Sequence, residues 1–133
     1  MKKQIIIPAG MQGAYDHMHF APGVKVGDTV YVSGQAGIKA DGKVAETLEE
    51  QLHLCFQKIA LVLEEAGGSL DDIVELESFH VGDMIADTPT IFKVKDHYLT
   101  RDYPAWSAFG VTMLAVPGLL VEIKAVAVIG SGN

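Results

Sequence analysis

The clearest periodic pattern of hydrophobic positions begins at residue 48 and predicts an amphipathic helix. Apolar residues recur there every three or four positions, on one helix face, and they are Leu48, Leu52, Cys55, Ile59, Val62 and Ala66. Thr47 and Glu50 have the spacing of a capping box at the start of this helix. Gly67 and Gly68 predict its end, because glycine tolerates the left-handed conformation of a helix cap. Cys55 lies within the apolar face, so we expect a small buried hydrophobe rather than a nucleophile.

Shorter segments rich in β-branched and aromatic residues predict strands. These segments are residues 4–8, 20–26, 29–33, 72–81, 106–114 and 119–128. Gly27 and Asp28 predict a hairpin turn between the second and third strands. Residues 9–19 and the glycine-containing segment 34–42 are expected to be loops. In the fourth strand we expect Val74 and Leu76 to lie on the same face of the sheet.

A second helix is predicted to be capped by Asp87 or Thr88, with Pro89 near its first turn. Its inward-facing residues would be Ile91, Phe92 and Tyr98. Two helices and about six strands predict one α+β domain over residues 1–133, a two-layer sandwich with both helices on one face of the sheet. The other sheet face also carries apolar residues and has no predicted element to cover it. Large exposed apolar patches mark interfaces, so we expect a homo-oligomer.

Composition and charge narrow the possible functions. Hydrophobic residues make up 49% of the 133 residues, which suffices for one core. The net charge is −7 and Arg101 is the only arginine, so we expect no nucleic-acid partner. No apolar run has the length of a membrane span, and residues 5–7 are too short for a signal sequence. With a single cysteine, the default location is the cytosol. No cofactor is expected.

Several short motifs, taken in order, resemble the RidA (YjgF) family. The segment Tyr31–Gln35 is similar to that family's V-x-V-S-G-Q strand end. Residues 66–74, Ala-Gly-Gly-Ser-Leu-Asp-Asp-Ile-Val, resemble its junction between helix and strand. Residues 104–108 are similar to its P-A-R-S-A motif, and residues 121–127 to V-E-I-E-A-I-A. Each motif is weak alone, but together they cover nearly the whole chain.

The resemblance implies a chorismate-mutase-like fold, a mixed sheet and a homotrimer with three clefts between subunits. It also implies hydrolysis of reactive enamines and imines to ketones and ammonia. Tyr15 matches a tyrosine that lines the family's cleft, and Glu122 matches the glutamate that places or activates water. Ser33, Gly34 and Gln35 match the glycine-containing strand end that borders the substrate.

The chain departs from the family at Trp106, where typical members have an arginine that clamps the substrate carboxylate. The substitution removes charge-assisted hydrogen bonds worth roughly 1.5–3 kcal/mol each. Tryptophan adds a flat apolar face suited to stacking, so we favour a ligand-facing Trp106 over one that only fills the core or an interface. Arg101 and Lys124 are the cations considered as replacements. We expect Arg101 to be a solvated loop charge, and Lys124 to form a partial ion pair with Glu122, because the two share a strand face.

His17 and His19 lie two positions apart, a spacing at which histidines on a strand face one way. No third metal ligand is evident, so we expect polar residues at the rim of the cleft rather than a metal site. Either histidine could still exchange protons with a ligand near neutral pH.

Two classes of function remain open. In the first, an enzyme, water placed by Glu122 and by backbone groups near Ser107 attacks an imine or enamine in a cleft walled by Tyr15 and Trp106. In the second, a non-catalytic trimer binds a small-molecule ligand or another protein. The loss of the arginine adds weight to the second class. Ribonuclease activity, attributed to some relatives, fits the acidic charge least well.

Overall fold

The computed structural model describes all residues, 1–133, and is built on one six-stranded sheet. The strands are β1 (Gln4–Ile6), β2 (Gly23–Val26), β3 (Thr29–Ala36), β4 (Ile73–His80), β5 (Ala105–Gly110) and β6 (Val121–Val128). Their order across the sheet is β1-β2-β3-β6-β4-β5. Only β4 and β5 are parallel, and every other neighbouring pair is antiparallel. The predicted α+β fold with a mixed sheet is therefore confirmed.

Three α-helices accompany the sheet: α1 (Gln12–Met18), α2 (Leu48–Glu65) and α3 (Met84–Tyr98). A single turn of 3₁₀-helix, Leu70–Asp72, leads into β4. Helices α2 and α3 contribute to one hydrophobic core of nineteen buried residues on one side of the sheet. None of the three α-helices combines the length and the hydrophobicity that a membrane span requires.

The long helix α2 follows the sequence prediction closely. The Thr47 hydroxyl accepts a hydrogen bond from the Glu50 amide at 3.2 Å, as expected for an N-cap. Gly67, just beyond the helix, has a φ of 93°, a conformation that favours glycine. All the predicted apolar positions except the partly exposed Leu48 are buried.

Gln51 is a buried polar residue of α2 that the hydrophobic pattern does not indicate. It is 0% exposed. Its amide nitrogen donates hydrogen bonds to the carbonyls of Ala45, at 2.9 Å, and Gly118, at 3.0 Å. Its amide oxygen accepts a bond from the Leu120 amide at 2.8 Å. One side chain thus satisfies three backbone groups and ties α2 to the loops that precede α2 and β6.

Two segments predicted as loops are ordered elements. Residues 12–18 form α1, which buries none of its residues and therefore lacks the apolar periodicity that reveals a helix. The third strand does not end at Ser33 but continues to Ala36. The register with β6 shifts between Val32 and Gln35, so Gly34 lies in a β-bulge rather than in a turn.

The start of α3 also differs from the prediction. The Asp83 carboxylate accepts a hydrogen bond from the Ala86 amide at 3.0 Å, so the helix begins at Met84 rather than after Asp87 or Thr88. Pro89 consequently lies inside the helix. With this register Ile91 and Val94 are buried. Tyr98 packs against the core as expected, whereas Phe92 is 44% exposed, contrary to the prediction.

Every strand except β3 is shorter than predicted, and one face assignment was wrong. The pairing of β4 with β6 shifts between Ile73 and Glu75, which places Val74 out of phase with Leu76. Val74 is 41% exposed, whereas Leu76 is buried. The fifth strand ends at Gly110 rather than at residue 114, because residues 111–120 form an irregular connection to β6.

The sheet face opposite α2 and α3 is uncovered in a single chain. It carries large apolar side chains, including Tyr31 at 53% and Phe109 at 46% exposure. The rings of Phe79 and Phe109 stack there with centroids 5.6 Å apart. Glu122 lies on the same face, in register with Phe79. We refer to this surface as the open face.

Candidate functional site

The strand end of β3 is held in its bulged form by hydrogen bonds to neighbouring segments. The Ser33 hydroxyl donates to the carbonyl of Ala21 at 2.6 Å, and the Ser33 amide donates to Pro22 at 2.9 Å. The Gln35 side-chain amide donates back to the Ser33 carbonyl at 3.1 Å. The Cys55 thiol donates to the Gln35 carbonyl at 3.2 Å. The Ser-Gly-Gln motif is therefore fixed in place by hydrogen bonds within its own strand, to residues 21–22 and from α2.

Glu122 lies directly against Gly34. A Cβ atom added to Gly34 would come within 2.5 Å of Oε2 of Glu122 and within 2.6 Å of its Cδ. The absence of a side chain at Gly34 therefore leaves the space that the carboxylate occupies. Glu122 is half-buried on β6, and no ion pair with Lys124 forms, contrary to the prediction. Lys124 does share the strand face of Glu122, but it is exposed.

An open groove of about 220 Å³ borders this strand end, between it and α1. Met11, Ala14, Phe20, Pro22, Gly34 and Gln35 are among its lining residues. Gly34 therefore belongs both to the groove and to the contact with Glu122. Tyr15, the neighbour of Ala14 on α1, is 41% exposed and does not line the groove within this chain.

The two histidines near Tyr15 are not on a strand. His17 lies in the last turn of α1, and His19 caps the helix with a φ of 59°. Both are exposed. No group of three or more histidine, cysteine, aspartate or glutamate side chains is placed to hold a metal ion.

Trp106 faces the helix layer, on the opposite side of the sheet from Glu122. Its indole N–H donates to the Ser78 hydroxyl at 2.9 Å, and its ring packs edge-to-face on Phe92 at 5.3 Å. Ser107 is exposed on the open face, where Glu122 also lies. Packing thus accounts for much of the Trp106 surface. From the sequence we favoured a ligand-facing Trp106 over one that only fills the core or an interface. Trp106 and Glu122 can line one cleft only if different subunits contribute them.

Trp106 nevertheless borders a second open groove, of about 360 Å³, between α3 and β5. Phe92, Lys95, Leu99, Tyr103 and Pro104 are among the other residues that line it. We call this surface the Trp106 groove. No sequence pattern indicates Lys95, because only the three-dimensional packing of α3 on β5 brings it to Trp106.

A buried histidine lies behind Trp106. His80 is 2% exposed, and its Nε2 lies 2.8 Å from the Ser78 hydroxyl that also accepts the indole N–H. Its Nδ1 has no hydrogen-bond partner. Burial lowers the pKa of His80 below its usual value, and the negative charge of Asp87 only partly opposes this effect. No sequence pattern distinguishes His80 from an exposed strand histidine.

Arg101 lies in an exposed loop, as expected, with its side chain 52% exposed, but its guanidinium is already bonded within the chain. Its guanidinium donates to the carbonyl of Gly132 at 2.6 Å and to the Asp71 carboxylate at 3.3 Å. The Gly132 amide also donates a hydrogen bond, to the Asp72 carboxylate at 2.9 Å. Arg101 therefore fastens the C-terminal residues and is not free to bind a ligand.

Cys55 is the inert buried residue that its position in the helix predicts. It is 0% exposed, and desolvation raises the pKa of its thiol to about 12. Nearby, the Lys58 ammonium donates to the carbonyl of Ala36 at 2.9 Å, and burial lowers its pKa. A nucleophilic thiolate is therefore not part of this site.

The single mixed sheet, the helices on one side and the bulged strand end against a glutamate define a small α+β domain with chorismate-mutase-like architecture. Residues 13–129 match the Endoribonuclease L-PSP family. The chain therefore belongs to this family, which is the RidA (YjgF) family indicated by the sequence motifs.

Individual relatives agree with this assignment. The chain is 34% identical over 128 residues to the RutC family protein YjgH of Escherichia coli, covering 96% of this chain and 95% of that protein. A solved structure of a protein named YJGH matches with a TM-score of 0.86 at 34% identity and covers 97% of this chain and 98% of that one. A 2-iminobutanoate/2-iminopropanoate deaminase of Dermatophagoides farinae is 30% identical over 112 residues, 83% of this chain and 85% of that protein.

Proposed function

We propose that this protein hydrolyses an imine or enamine-type metabolite in clefts between the subunits of a homotrimer. The observation that carries the proposal is the contact of the Glu122 carboxylate with Gly34, at the end of a strand that borders an open groove. A carboxylate within reach of a ligand groove is suited to hold and deprotonate a water molecule. The name of the Dermatophagoides farinae relative supports the choice of C=N chemistry.

The proposed reaction needs no bound cofactor. The oxygen of water adds to the carbon of the C=N bond, while Glu122 accepts a proton from that water. The nitrogen takes up protons and leaves as ammonia, and the carbon becomes a carbonyl. Tyr15 and Ser107, with His17 and His19 at the rim, would line the ligand beside the strand-end backbone of Ser33, Gly34 and Gln35.

Trp106 argues for a substrate other than the smallest 2-imino acids. A guanidinium binds a carboxylate with two parallel donors and a full charge, whereas an indole has one neutral donor. The indole N–H of Trp106 is already bonded to Ser78. The ligand is therefore expected to gain affinity from contact with flat apolar surface.

The uncovered sheet face supports a homo-oligomer, which the resemblance to the family implies is a trimer. Tyr31 and Phe109 are about half-exposed on the open face in a single chain. Burying such surfaces against a second copy is the usual way to remove them from water. Light scattering should give a mass about three times 14.3 kDa, and a stable monomer at micromolar concentration would contradict the shared-cleft site. We place this activity in the cytosol, where a single buried thiol stays reduced.

A non-catalytic trimer that binds a metabolite, or presents its surface to another protein, is the second candidate. The residue that favours it is again Trp106, because typical members use an arginine there to orient the substrate. A ligand that binds without turnover would be the result expected from this candidate. Ribonuclease activity remains the weakest candidate, since the net charge is −7.

The test uses an amino-acid oxidase to generate imines from a panel of small, branched and aromatic amino acids. Release of ammonia or keto acid is then followed with and without the purified protein. We expect acceleration for larger imines and its loss in Glu122→Gln. Glu77→Gln is the matched control. Glu77 lies on the open face in the neighbouring strand β4, where it pairs with Lys124 and not with Glu122. Equal loss in both variants, or no acceleration of any imine, would contradict the proposed role of Glu122.

A further inference from the structure

The Trp106 groove contains an ammonium group surrounded by aromatic rings. Nζ of Lys95 lies 5.1 Å from the centroid of the Trp106 ring and 5.4 Å from that of Phe92. The ring of Tyr103 is 5.8 Å away. The Lys95 side chain is only 12% exposed, although lysine usually extends into water. The three rings hold the charge at the wall of the groove through cation–π attraction.

The partner of this charge within the chain is weakly held. Lys95 forms one ion pair, with its sequence neighbour Asp96 at 2.9 Å. The Asp96 side chain is 58% exposed, and exposed pairs of this kind contribute little to stability. The Asp96 carboxylate can therefore turn into solvent when another anion takes its place.

We propose that the Trp106 groove binds a carboxylate carried on a flat, aromatic group, with Lys95 as the cation that holds the carboxylate. The ligand carboxylate would replace Asp96 beside Nζ of Lys95, and the aromatic group would lie against Trp106 and Tyr103. The inference rests on the proposed function in taking the surface at Trp106 as part of the ligand cleft, and it names the class of ligand.

Lys95 is suited to this role where the cations considered from sequence are not. Arg101 is bonded to Gly132 and Asp71, and Lys124 is exposed on the opposite face of the sheet. A charge-assisted bond to a carboxylate inside a groove of about 360 Å³ is screened less than one at the open surface. The apolar walls of the groove match a ring and leave a small aliphatic carboxylate with little contact.

The probe is benzoate, titrated into the full-length protein by calorimetry and followed by the fluorescence of Trp106, the only tryptophan. Benzamide keeps the ring without the charge, acetate keeps the charge without the ring, and benzyltrimethylammonium reverses the charge. We expect saturable binding of benzoate that changes Trp106 fluorescence, and weaker binding of the other three. Benzamide binding as tightly as benzoate would overturn the role of Lys95. Preference for the quaternary ammonium, or no binding of benzoate, would overturn the ligand class.

Variants on the same helix assign the charge. Lys95→Met should weaken benzoate binding by about tenfold or more, the loss expected from one charge-assisted bond, whereas Lys95→Arg should retain binding. Asp96→Asn should strengthen binding, because it removes the competing carboxylate. Lys93→Met is the control, since Lys93 is 72% exposed and pairs with Glu49. Unchanged affinity in Lys95→Met, or weaker affinity in Asp96→Asn, would contradict the proposal.

These measurements are made without turnover, so they separate the two proposals. Benzoate binding that depends on Lys95, in a protein that hydrolyses no imine, would support the groove and contradict catalysis by Glu122. Imine hydrolysis that depends on Glu122, in a protein that does not bind benzoate, would support catalysis by Glu122 and contradict the proposed ligand of the Trp106 groove.

Discussion

Gly34 and Glu122 fit together because one lacks a side chain and the other fills the vacant space. The Cβ of any other residue at position 34 would lie 2.5 Å from Oε2 and 2.6 Å from Cδ of Glu122, which is closer than atoms that are not bonded can approach. The glycine of the Ser-Gly-Gln motif is thus explained by a contact with a strand distant in sequence and not by a turn.

A Gly34→Ala variant should therefore lose function while remaining folded. The atom in the way is the end of a flexible side chain, so Glu122 can move aside at a cost of about 1 kcal/mol or less. We expect hydrolysis or ligand affinity to fall nearly as far as in Glu122→Gln, with a small change in melting temperature. Gly110→Ala is the control, because nothing lies within 4 Å of a Cβ added there. Full activity in Gly34→Ala would show that the placement of Glu122 is unimportant.

The sequence predicts best those elements whose signals are local. The capped, periodic helix α2 is nearly complete in the pattern from Thr47 to Gly67. The start of α3 was misplaced because Asp83, Asp87 and Thr88 all resemble caps, and only the fold decides among them. The sequence does not predict helix α1, because the helix buries none of its residues and so has no periodic apolar pattern.

The candidate site was predicted only as far as motif positions allow. Glu122, Gly34 and Gln35 were identified, and the structure brings the first two into contact. The direction of Trp106 depends on which face of β5 covers the core, which the sequence of one edge strand does not determine. The sequence does not indicate Lys95, because its surroundings are three aromatic rings from the preceding turn of α3, from the loop after α3 and from β5.

Gln51→Leu should destabilise the protein strongly, although the two side chains have a similar volume. It leaves the carbonyls of Ala45 and Gly118 and the amide of Leu120 without their partner. Unsatisfied buried polar groups cost about 1–3 kcal/mol each, so we expect a loss of about 2–4 kcal/mol in the free energy of unfolding after partial relaxation. Urea denaturation measures this. Gln57→Leu on the exposed side of α2 should change stability by about 0.5 kcal/mol or less, and a similar loss in both variants would contradict the account.

His80 should make the folded state sensitive to mild acid. Its pKa is lowered by burial, so the unfolded chain binds a proton at higher pH than the folded chain does. The free energy of unfolding should therefore fall as the pH drops through the ordinary histidine value of 6.5 and level off below the folded-state pKa. Thermal melts across this range, compared between wild type and His80→Gln, test the effect. An identical pH dependence in the two proteins would contradict it, and the exposed His97→Gln serves as control.

The protein should neither bind nor cleave RNA at physiological ionic strength, despite the name of the family. A net charge of −7 opposes association with a phosphate backbone, and the only arginine is occupied at the C-terminus. Filter binding at several salt concentrations and incubation with labelled RNA provide the measurements. Cleavage that accompanies the purified protein and disappears in Glu122→Ala would show this expectation to be wrong.

The most direct test of the proposed function compares hydrolysis of two imines by the wild-type protein. One is 2-iminopropanoate, generated from alanine, and the other is the imine generated from phenylalanine, which carries a flat ring on the same 2-imino acid. With Trp106 in place of an arginine, we expect little or no acceleration for the first and clear acceleration for the second. Acceleration of 2-iminopropanoate comparable to that of an arginine-containing family member would contradict the account, and so would a failure to accelerate either imine.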